Sequence, residues 1–207
     1  MLYALALGEV LDAISRWDTA WFYMINLGTQ NRIFDLIMPI LSDIKLWRWP
    51  LAIVMLGAVL LGDRRVRITV LLAIILLVLS DQISGHLLKP LVARQRPSHV
   101  LEGVRLLVPR GGRLSFPSSH ASNVFAIWKL IAVRHVQVAP YLLIIALGVA
   151  YSRVYVGVHY PLDVVGGAVL GVLLTLGVLE MSEWVVFRPL ARRRRASAHR
   201  RGRKDHS

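Results

Sequence analysis

Cysteine is absent from this 207-residue sequence, which excludes disulfide bonds, thiolate nucleophiles and thiolate metal ligands. Charged residues are also scarce, at 18% of the chain, whereas 56% of the residues are hydrophobic and the mean hydropathy is +0.56. This balance excludes an ordinary soluble domain. Several apolar runs approach the roughly 20 residues that cross a bilayer core. The sequence therefore predicts an all-α, polytopic membrane helical bundle.

Acidic residues are few as well, at 12 against 25 lysines and arginines, so the formal net charge is +13. In a soluble protein this excess would indicate nucleic-acid binding. Here the arginines stand mainly at the ends of apolar runs and in the C-terminal tail, which is the pattern of topology signals. We expect the tail to bind anionic lipid headgroups and expect no nucleic-acid partner. The oligomeric state stays open.

The N-terminal segment, residues 1–44, is amphipathic and not continuously apolar. Its first residues lack the basic stretch of a signal peptide. Charged side chains interrupt the apolar ones, which predicts two short helices at the membrane surface, broken near Gly28. The alternative is a span over Trp17–Leu41, which would bury Arg32 and Asp35 in the membrane at a cost of several kcal/mol.

Five later segments have the composition of transmembrane helices, so five spans are predicted and the N-terminal alternative makes six. They are Trp47–Leu61, Ile68–Leu88, Ser118–Val133, Ala139–Val158 and Leu162–Phe187. Four glycines in the fifth segment predict close helix packing: Gly166, Gly167, Gly171 and Gly177. We predict one domain over residues 1–187, with its transmembrane core at 45–187, followed by a basic, disordered tail at 188–207.

The basic clusters orient the chain. Arg64, Arg65, Arg67, Arg134 and Arg192–Arg195 fall on one side of the predicted spans. The positive-inside rule makes that side cytoplasmic, in a multi-pass protein of the inner (cytoplasmic) membrane with a cytoplasmic C-terminus. The polar connection Lys89–Pro117 and the stretch Tyr151–Asp163 then face the periplasm. The connection is itself rich in basic residues, against the rule, and an anionic ligand is the simplest reason.

The stretch Tyr151–Asp163 places three chemically active side chains close together. His159 and Asp163 are four residues apart, so on a helix they share a face, and the carboxylate can orient the imidazole. Arg153 is a planar cation suited to phosphate oxygens. Alone, a histidine and an aspartate at this spacing are as well explained by helix capping or ion pairing.

Two further motifs fall on the same predicted side of the membrane. Lys89 is followed seven residues later by Arg96-Pro97, which alone is explained by a membrane-edge anchor. Pro117-Ser-Ser-His120 opens a predicted helix, which alone is explained by a serine N-cap. Its functional interpretation uses the free N–H groups of the helix N-terminus, which favour an anion.

Together, the three motifs resemble the type 2 phosphatidic acid phosphatase (PAP2) family, which shares its site with vanadium haloperoxidases. The family pattern is K-x6-RP, then PSGH, then SR-x5-H-x3-D. The matching residues are Lys89, Arg96, Pro97, Pro117, Ser118, His120, Ser152, Arg153, His159 and Asp163. Ser119 stands where the pattern has glycine, which matters if the backbone there requires a positive φ.

The resemblance implies a metal-independent lipid phosphatase without a cofactor. His159 would attack phosphorus and form a phosphohistidine, Asp163 would hold its other nitrogen, and His120 would act as acid and then as base. The residues implied to bind phosphate are Lys89, Arg96, Ser118, Ser119 and Arg153. From the residues themselves, Asp163 and Asp81 are the only acids that we place near the site.

The substrate is open among the lipids that the resemblance suggests: undecaprenyl diphosphate, phosphatidylglycerol phosphate, phosphatidic acid or lipid A 1-phosphate. A short chain with few soluble additions favours undecaprenyl diphosphate. Two alternatives stay open at this point. One is a lipid phosphotransferase that uses the same phosphohistidine, and the other is a non-catalytic lipid-binding or transport protein on the same scaffold.

Overall fold

A computed structural model describes residues 2–182, with side chains from residue 6 onward. The predicted tail at 188–207 and the end of the fifth predicted span lie outside the described residues. The helices are α1 (Leu2–Asn26), α2 (Arg32–Ser42), α3 (Ile44–Leu61), α4 (Arg64–Gln82), α5 (Lys89–Val92), α6 (Pro97–Val100), α7 (Ser119–Arg134), α8 (Ala139–Tyr155) and α9 (Pro161–Ser182). The described part contains no named strand, and an isolated β-bridge pairs Gln95 with Leu114. The predicted all-α bundle is confirmed.

Within residues 2–182, three helical stretches are long and apolar enough to cross a membrane: Ile44–Leu61, Arg64–Val92 and Pro161–Ser182. Ala139–Tyr155 is a shorter apolar helix. The α3 helix has no buried residue and is apolar from Trp49 onward, which suits a lipid environment and not water. The chain is an integral membrane protein, and the count of five spans, or six, stays a prediction.

The N-terminal segment is helical on both sides of Gly28, as predicted, but α1 is not short. It runs for 25 residues. The turn that separates it from α2 ends at Asn31, whose side chain accepts hydrogen bonds from the N–H groups of Ile33 and Phe34. Such an N-cap satisfies the free donors of the first helical turn and fixes where α2 begins.

The polar connection is shorter than predicted because the helix before it continues. After α4 the chain forms a π-helical turn over Ile83–Leu88 and then α5, so Lys89 lies on the helical extension of a span. Ala93, with φ of 53°, ends this extension. A π turn is a common device for re-aiming side chains near a functional site. Here the π turn directly precedes Lys89, the lysine of the family pattern.

Glycines allow α9 to lie directly against α7. A Cβ added at Gly167 would stand 2.4 Å from the carbonyl oxygen of Ser118, and one at Gly171 would stand 2.2 Å from that of Ser122. The predicted close packing is confirmed at these two positions. At Gly177 an added Cβ would meet no atom within 4 Å. The contact brings the N-terminal turns of α7 and α9 together, and both turns carry motif residues.

A buried asparagine fastens the polar connection to the helices. Asn26 donates to the carbonyl oxygens of Arg105 (2.8 Å) and Tyr155 (2.7 Å) and accepts from the Arg105 N–H (2.9 Å). The Arg105 guanidinium forms an ion pair with Asp35 on α2, and the Tyr155 hydroxyl donates to the same carboxylate. Gly157 has a φ of +86° and an added Cβ there would lie 2.7 Å from the Arg105 oxygen. The connection is thereby held against the end of α8.

Candidate active site

The three motifs meet at one end of the bundle. The Lys89 ammonium donates to the Ser119 hydroxyl at 2.8 Å, which joins the first motif to the second. The Ser118 N–H donates to the Asp163 carbonyl oxygen at 2.9 Å, which joins the second to the third. At the opposite end, the Arg65 guanidinium donates to the Arg134 carbonyl oxygen, so two of the arginines predicted to be cytoplasmic lie together.

His159 lies at the centre of this end and is 1% exposed. It does not share a helix with Asp163, because α9 begins only at Pro161. Its Nδ1 atom lies 3.5 Å from Asp163 Oδ2, which also accepts the Tyr160 N–H at 2.8 Å. Asp163 therefore faces the imidazole from the first turn of α9, and the Nε2 atom is the ring nitrogen left for chemistry.

The environment keeps His159 neutral. Burial, followed by the positive charges of Arg96, Arg153 and Lys89, lowers the pKa of His159 well below its ordinary value. A neutral imidazole has a free lone pair on one nitrogen, as a nucleophile requires. The same three cations make the surroundings favourable for an anion.

Two of these cations are held by the backbone around them. Arg153, on α8, is 7% exposed and its Nη1 donates to the carbonyl oxygen and to the hydroxyl of Ser42 at the end of α2. Arg96 donates through Nε to the Leu114 carbonyl oxygen at 3.2 Å. Gly111, with φ of +70°, packs on the Arg96 guanidinium, and a Cβ there would stand 3.2 Å from Nη1. Guanidinium groups held in this way are preorganised for oxyanions.

The second motif forms the N-terminus of α7. The buried Ser118 hydroxyl accepts the Ala121 N–H at 3.5 Å, so it acts as the N-cap. Ser119 has helical backbone and no positive φ, which removes the concern over its replacement of glycine. His120 is half-buried in the first turn, where the charges of Arg153, Arg96 and Lys89 act on its ring. A second histidine thus faces the same cationic surroundings as His159.

The Ser119 side chain has a role that the sequence did not indicate. Its hydroxyl receives hydrogen bonds from both Lys89 Nζ and Ser84 Oγ, each at 2.8 Å. A glycine at this position would leave the ammonium without this partner. Ser84 lies on the π-helical turn, and no motif marked it.

A third acid lies near the site, which corrects the expectation that Asp163 and Asp81 were the only ones. Asp18 on α1 is 4% exposed and pairs with Arg94 at 2.6 Å, and Arg94 also pairs with Asp163 at 2.9 Å. Asp81 is exposed, although its charge acts on Lys89. The sequence marks Arg94 only as one of the basic residues of the polar connection that lie on the predicted periplasmic side, against the positive-inside rule. Asp18 had no sequence signal.

The fold and the site together define a class: a polytopic helical membrane protein with a buried, cationic site suited to phosphate. The chain belongs to the PAP2 superfamily, whose family model matches residues 68–187. The resemblance drawn from the three motifs is thereby confirmed, and so is the prediction of an enzyme that removes phosphate from a lipid phosphate or diphosphate.

Relatives and a solved structure agree with this assignment. A lipid A 4'-phosphatase of Bacteroides thetaiotaomicron is 30% identical over 78% of this chain and 75% of its own. The undecaprenyl-diphosphatase BcrC of Bacillus subtilis is 29% identical over 72% of this chain and 75% of its own. The structure of a PAP2-type phosphatidylglycerolphosphate phosphatase from Bacillus subtilis matches 89% of this chain and 94% of that chain with a TM-score of 0.66, at 24% identity. This last likeness concerns the fold.

Proposed function

We propose that the protein hydrolyses undecaprenyl diphosphate, or a closely similar lipid diphosphate or phosphate, through a phosphohistidine on His159. The observation that carries this proposal is the pairing of a buried imidazole with a carboxylate on one side and with the charges of three cations around it. An imidazole oriented in this way can attack phosphorus through Nε2 while Asp163 stabilises the charge that develops on the ring.

The first step forms the bond between His159 Nε2 and phosphorus and breaks the bond between phosphorus and the leaving oxygen. The negative charge of the bound phosphate offsets the three cations, so His120 is protonated in the substrate complex. It donates this proton to the leaving oxygen, and the lipid leaves as its monophosphate or alcohol. Lys89, Arg96 and Arg153 balance the charge of the equatorial oxygens, and the α7 N-terminus at Ser118 and Ser119 adds N–H donors.

The second step releases inorganic phosphate. His120, now neutral, takes a proton from water, the water oxygen attacks the phosphohistidine, and the P–N bond breaks. His159 returns to its neutral form, which its burial favours. Three cations can balance a transferring phosphoryl group in place of the metal ion that many phosphotransfer sites use, so we propose that the reaction proceeds without one.

The choice of undecaprenyl diphosphate rests on the BcrC relative, whose name gives that protein this activity. A lipid phosphotransferase is the main alternative, because the same phosphohistidine can pass to a lipid or sugar acceptor. A non-catalytic lipid-binding protein on this scaffold is the other.

The test is phosphate release from the purified protein in detergent, with EDTA present, over four lipids. They are undecaprenyl diphosphate, phosphatidylglycerol phosphate, phosphatidic acid and lipid A 1-phosphate. We expect release in EDTA, with kcat/KM highest for undecaprenyl diphosphate and one phosphate released per lipid. If kcat/KM is highest for another of these lipids, that lipid would replace undecaprenyl diphosphate as the proposed substrate. Transfer to an added acceptor in preference to water would support the phosphotransferase, and no release by folded protein would support the non-catalytic alternative.

The proposal includes an orientation, with the site at the periplasmic face of the inner membrane and the C-terminus in the cytoplasm. It is supported by Arg65 and Arg134, which lie together at the end of the bundle opposite to His159. The tail, which is proposed to bind anionic lipid headgroups, would then meet the anionic cytoplasmic leaflet.

This orientation predicts opposite labelling of two single-cysteine variants, Gly112→Cys and Val136→Cys. Both positions are exposed, at opposite ends of the bundle, and the chain has no other cysteine. In spheroplasts, an impermeant maleimide is expected to label position 112 at once and position 136 only after permeabilisation. The reverse pattern would place the site in the cytoplasm.

A further inference from the structure

Arg94 lies between two buried carboxylates. Its Nη1 donates to Asp163 Oδ1 at 2.9 Å and its Nη2 donates to Asp18 Oδ2 at 2.6 Å. Asp163 is fully buried and Asp18 is 4% exposed. A planar guanidinium is the one side chain that can give a separate, fixed donor to each of two carboxylates. Arg94 is not part of the three motifs, although it stands two residues before Arg96.

The bridge fixes one oxygen of Asp163 and leaves the other for the imidazole. Oδ1 is taken by Arg94, while Oδ2 accepts the Tyr160 N–H and faces His159 Nδ1. With Oδ1 held, the carboxylate cannot rotate away from the ring. The orientation of His159 thus depends on a group that does not touch it.

Asp18 connects this bridge to the N-terminal helix. Its Oδ1 atom accepts the Leu162 N–H at 2.9 Å, in the first turn of α9, while Oδ2 holds Arg94. Leu162 stands directly before Asp163. The Asp18 carboxylate therefore binds both the Arg94 guanidinium and the backbone of the turn that carries Asp163.

Arg94 is held on its other sides as well. Its guanidinium carbon lies 3.9 Å from the centre of the Tyr160 ring, and its carbonyl oxygen accepts the Ser115 N–H at 2.8 Å. These contacts leave the guanidinium a single position. Its neighbour Arg96 acts on His159 electrostatically, whereas Arg94 is occupied by the two carboxylates.

We propose that Arg94, held by Asp18, is a positioning residue that fixes Asp163 and thereby keeps the His159 ring in the orientation and tautomer needed for attack on phosphorus. The proposal rests on the proposed function of His159 as nucleophile. It also assigns α1 a role in the site, because Asp18 is the group of α1 that reaches the bridge. Lysine at position 94 is not expected to substitute, since one ammonium cannot reproduce the two donors of the fork.

The kinetic test compares Arg94→Gln, Arg94→Lys and Asp18→Asn with Arg110→Gln, an exposed arginine of the same connection. Asp18→Asn keeps an oxygen for the Leu162 N–H and removes the charge that holds Arg94. We expect kcat to fall roughly 100-fold in both Arg94 variants and less in Asp18→Asn, with KM within about twofold of wild type in every case. Arg110→Gln is expected to match wild type. A raised KM with unchanged kcat would make Arg94 a phosphate-binding residue and overturn the proposal.

A double-mutant cycle tests whether Arg94 affects kcat through Asp163. If Arg94 acts through Asp163, Arg94→Gln in an Asp163→Asn background is expected to lower kcat by less than about twofold further. Full additivity of the two losses would show that Arg94 acts independently, and the proposal would fail.

A second readout needs no turnover. In histidine-labelled protein, nitrogen NMR is expected to show wild-type His159 as one neutral tautomer with the proton on Nδ1, and a mixture of tautomers in Arg94→Gln and Asp18→Asn. The His159→Ala spectrum assigns the signals, and thermal unfolding checks each fold. An unchanged tautomer of His159 in both variants would overturn the positioning role of Arg94, whether or not wild type releases phosphate. Failure of wild type to release phosphate would, by itself, count only against the proposed function.

Discussion

Replacing His159 with alanine is expected to lower phosphate release by at least about 1000-fold, because loss of a nucleophile leaves only the contribution of binding and electrostatics. The cations Lys89, Arg96 and Arg153 remain in the variant and continue to bind the phosphate. KM is therefore expected to change little while kcat collapses. Asp163 keeps its ion pair with Arg94 in the variant, so its buried carboxylate is not left without a partner.

The measurement is phosphate release with EDTA present, together with quenching of wild type in alkaline detergent during turnover of substrate labelled in the transferred phosphate. Wild type is expected to retain label in a form stable to alkali and lost in acid, as a phosphohistidine is, and His159→Ala is expected to retain none. His135→Ala serves as the matched control, because His135 ends α7 at the opposite end from His120. Equal release by His159→Ala and wild type would eliminate His159 as nucleophile.

Replacing Gly171 with alanine is expected to destabilise the folded protein by at least about 2 kcal/mol. The added Cβ would stand 2.2 Å from the carbonyl oxygen of Ser122 and 2.8 Å from the Ala126 nitrogen. Both are backbone atoms of α7, so neither can rotate aside and the two helices must separate. Activity is expected to fall with stability, since the same contact places the α7 N-terminus beside Asp163.

Gly177→Ala on the same helix is the matched control, because no atom lies within 4 Å of its added Cβ. Alanine there is expected to be neutral or to stabilise by up to about 1 kcal/mol through its higher helix propensity. The unfolding temperatures of the two variants and of wild type are compared in the same detergent, with size-exclusion chromatography as the readout of the folded fraction. Equal unfolding temperatures for Gly171→Ala and Gly177→Ala would show that α7 and α9 do not pack as closely as the structure places them.

Much of the fold followed from local patterns. Apolar runs and the arginines that end them predicted the helical bundle, and caps such as Asn31 begin helices where the side chain can satisfy free N–H groups. Less regular features escaped prediction. The helix predicted to end at Leu88 contains a π turn and continues to Val92, and α1 is one long helix. Neither has a local signature that distinguishes it from a loop or a shorter helix.

The motif residues were found because the spacing of unusual polar groups is a property of the sequence itself. Lys89, Arg96, His120, His159 and Asp163 all lie at the same end of the bundle, as predicted. Their chemical roles stay predictions until the variants are measured. The residues that hold them were missed because none of the three motifs includes them: Ser84, Ser42, Arg94 and Asp18.

By itself, the sequence determined that this is a helical membrane protein of the PAP2 superfamily, because hydropathy and motif spacing are local quantities that survive without knowledge of contacts. Only the tertiary structure decided which side chains support the site. Asp18 and Asp163 are 145 positions apart, and nothing in either neighbourhood indicates that one guanidinium lies between them. Such a partnership depends on how the helices pack, since a buried charge is stable only where the fold delivers its counter-charge.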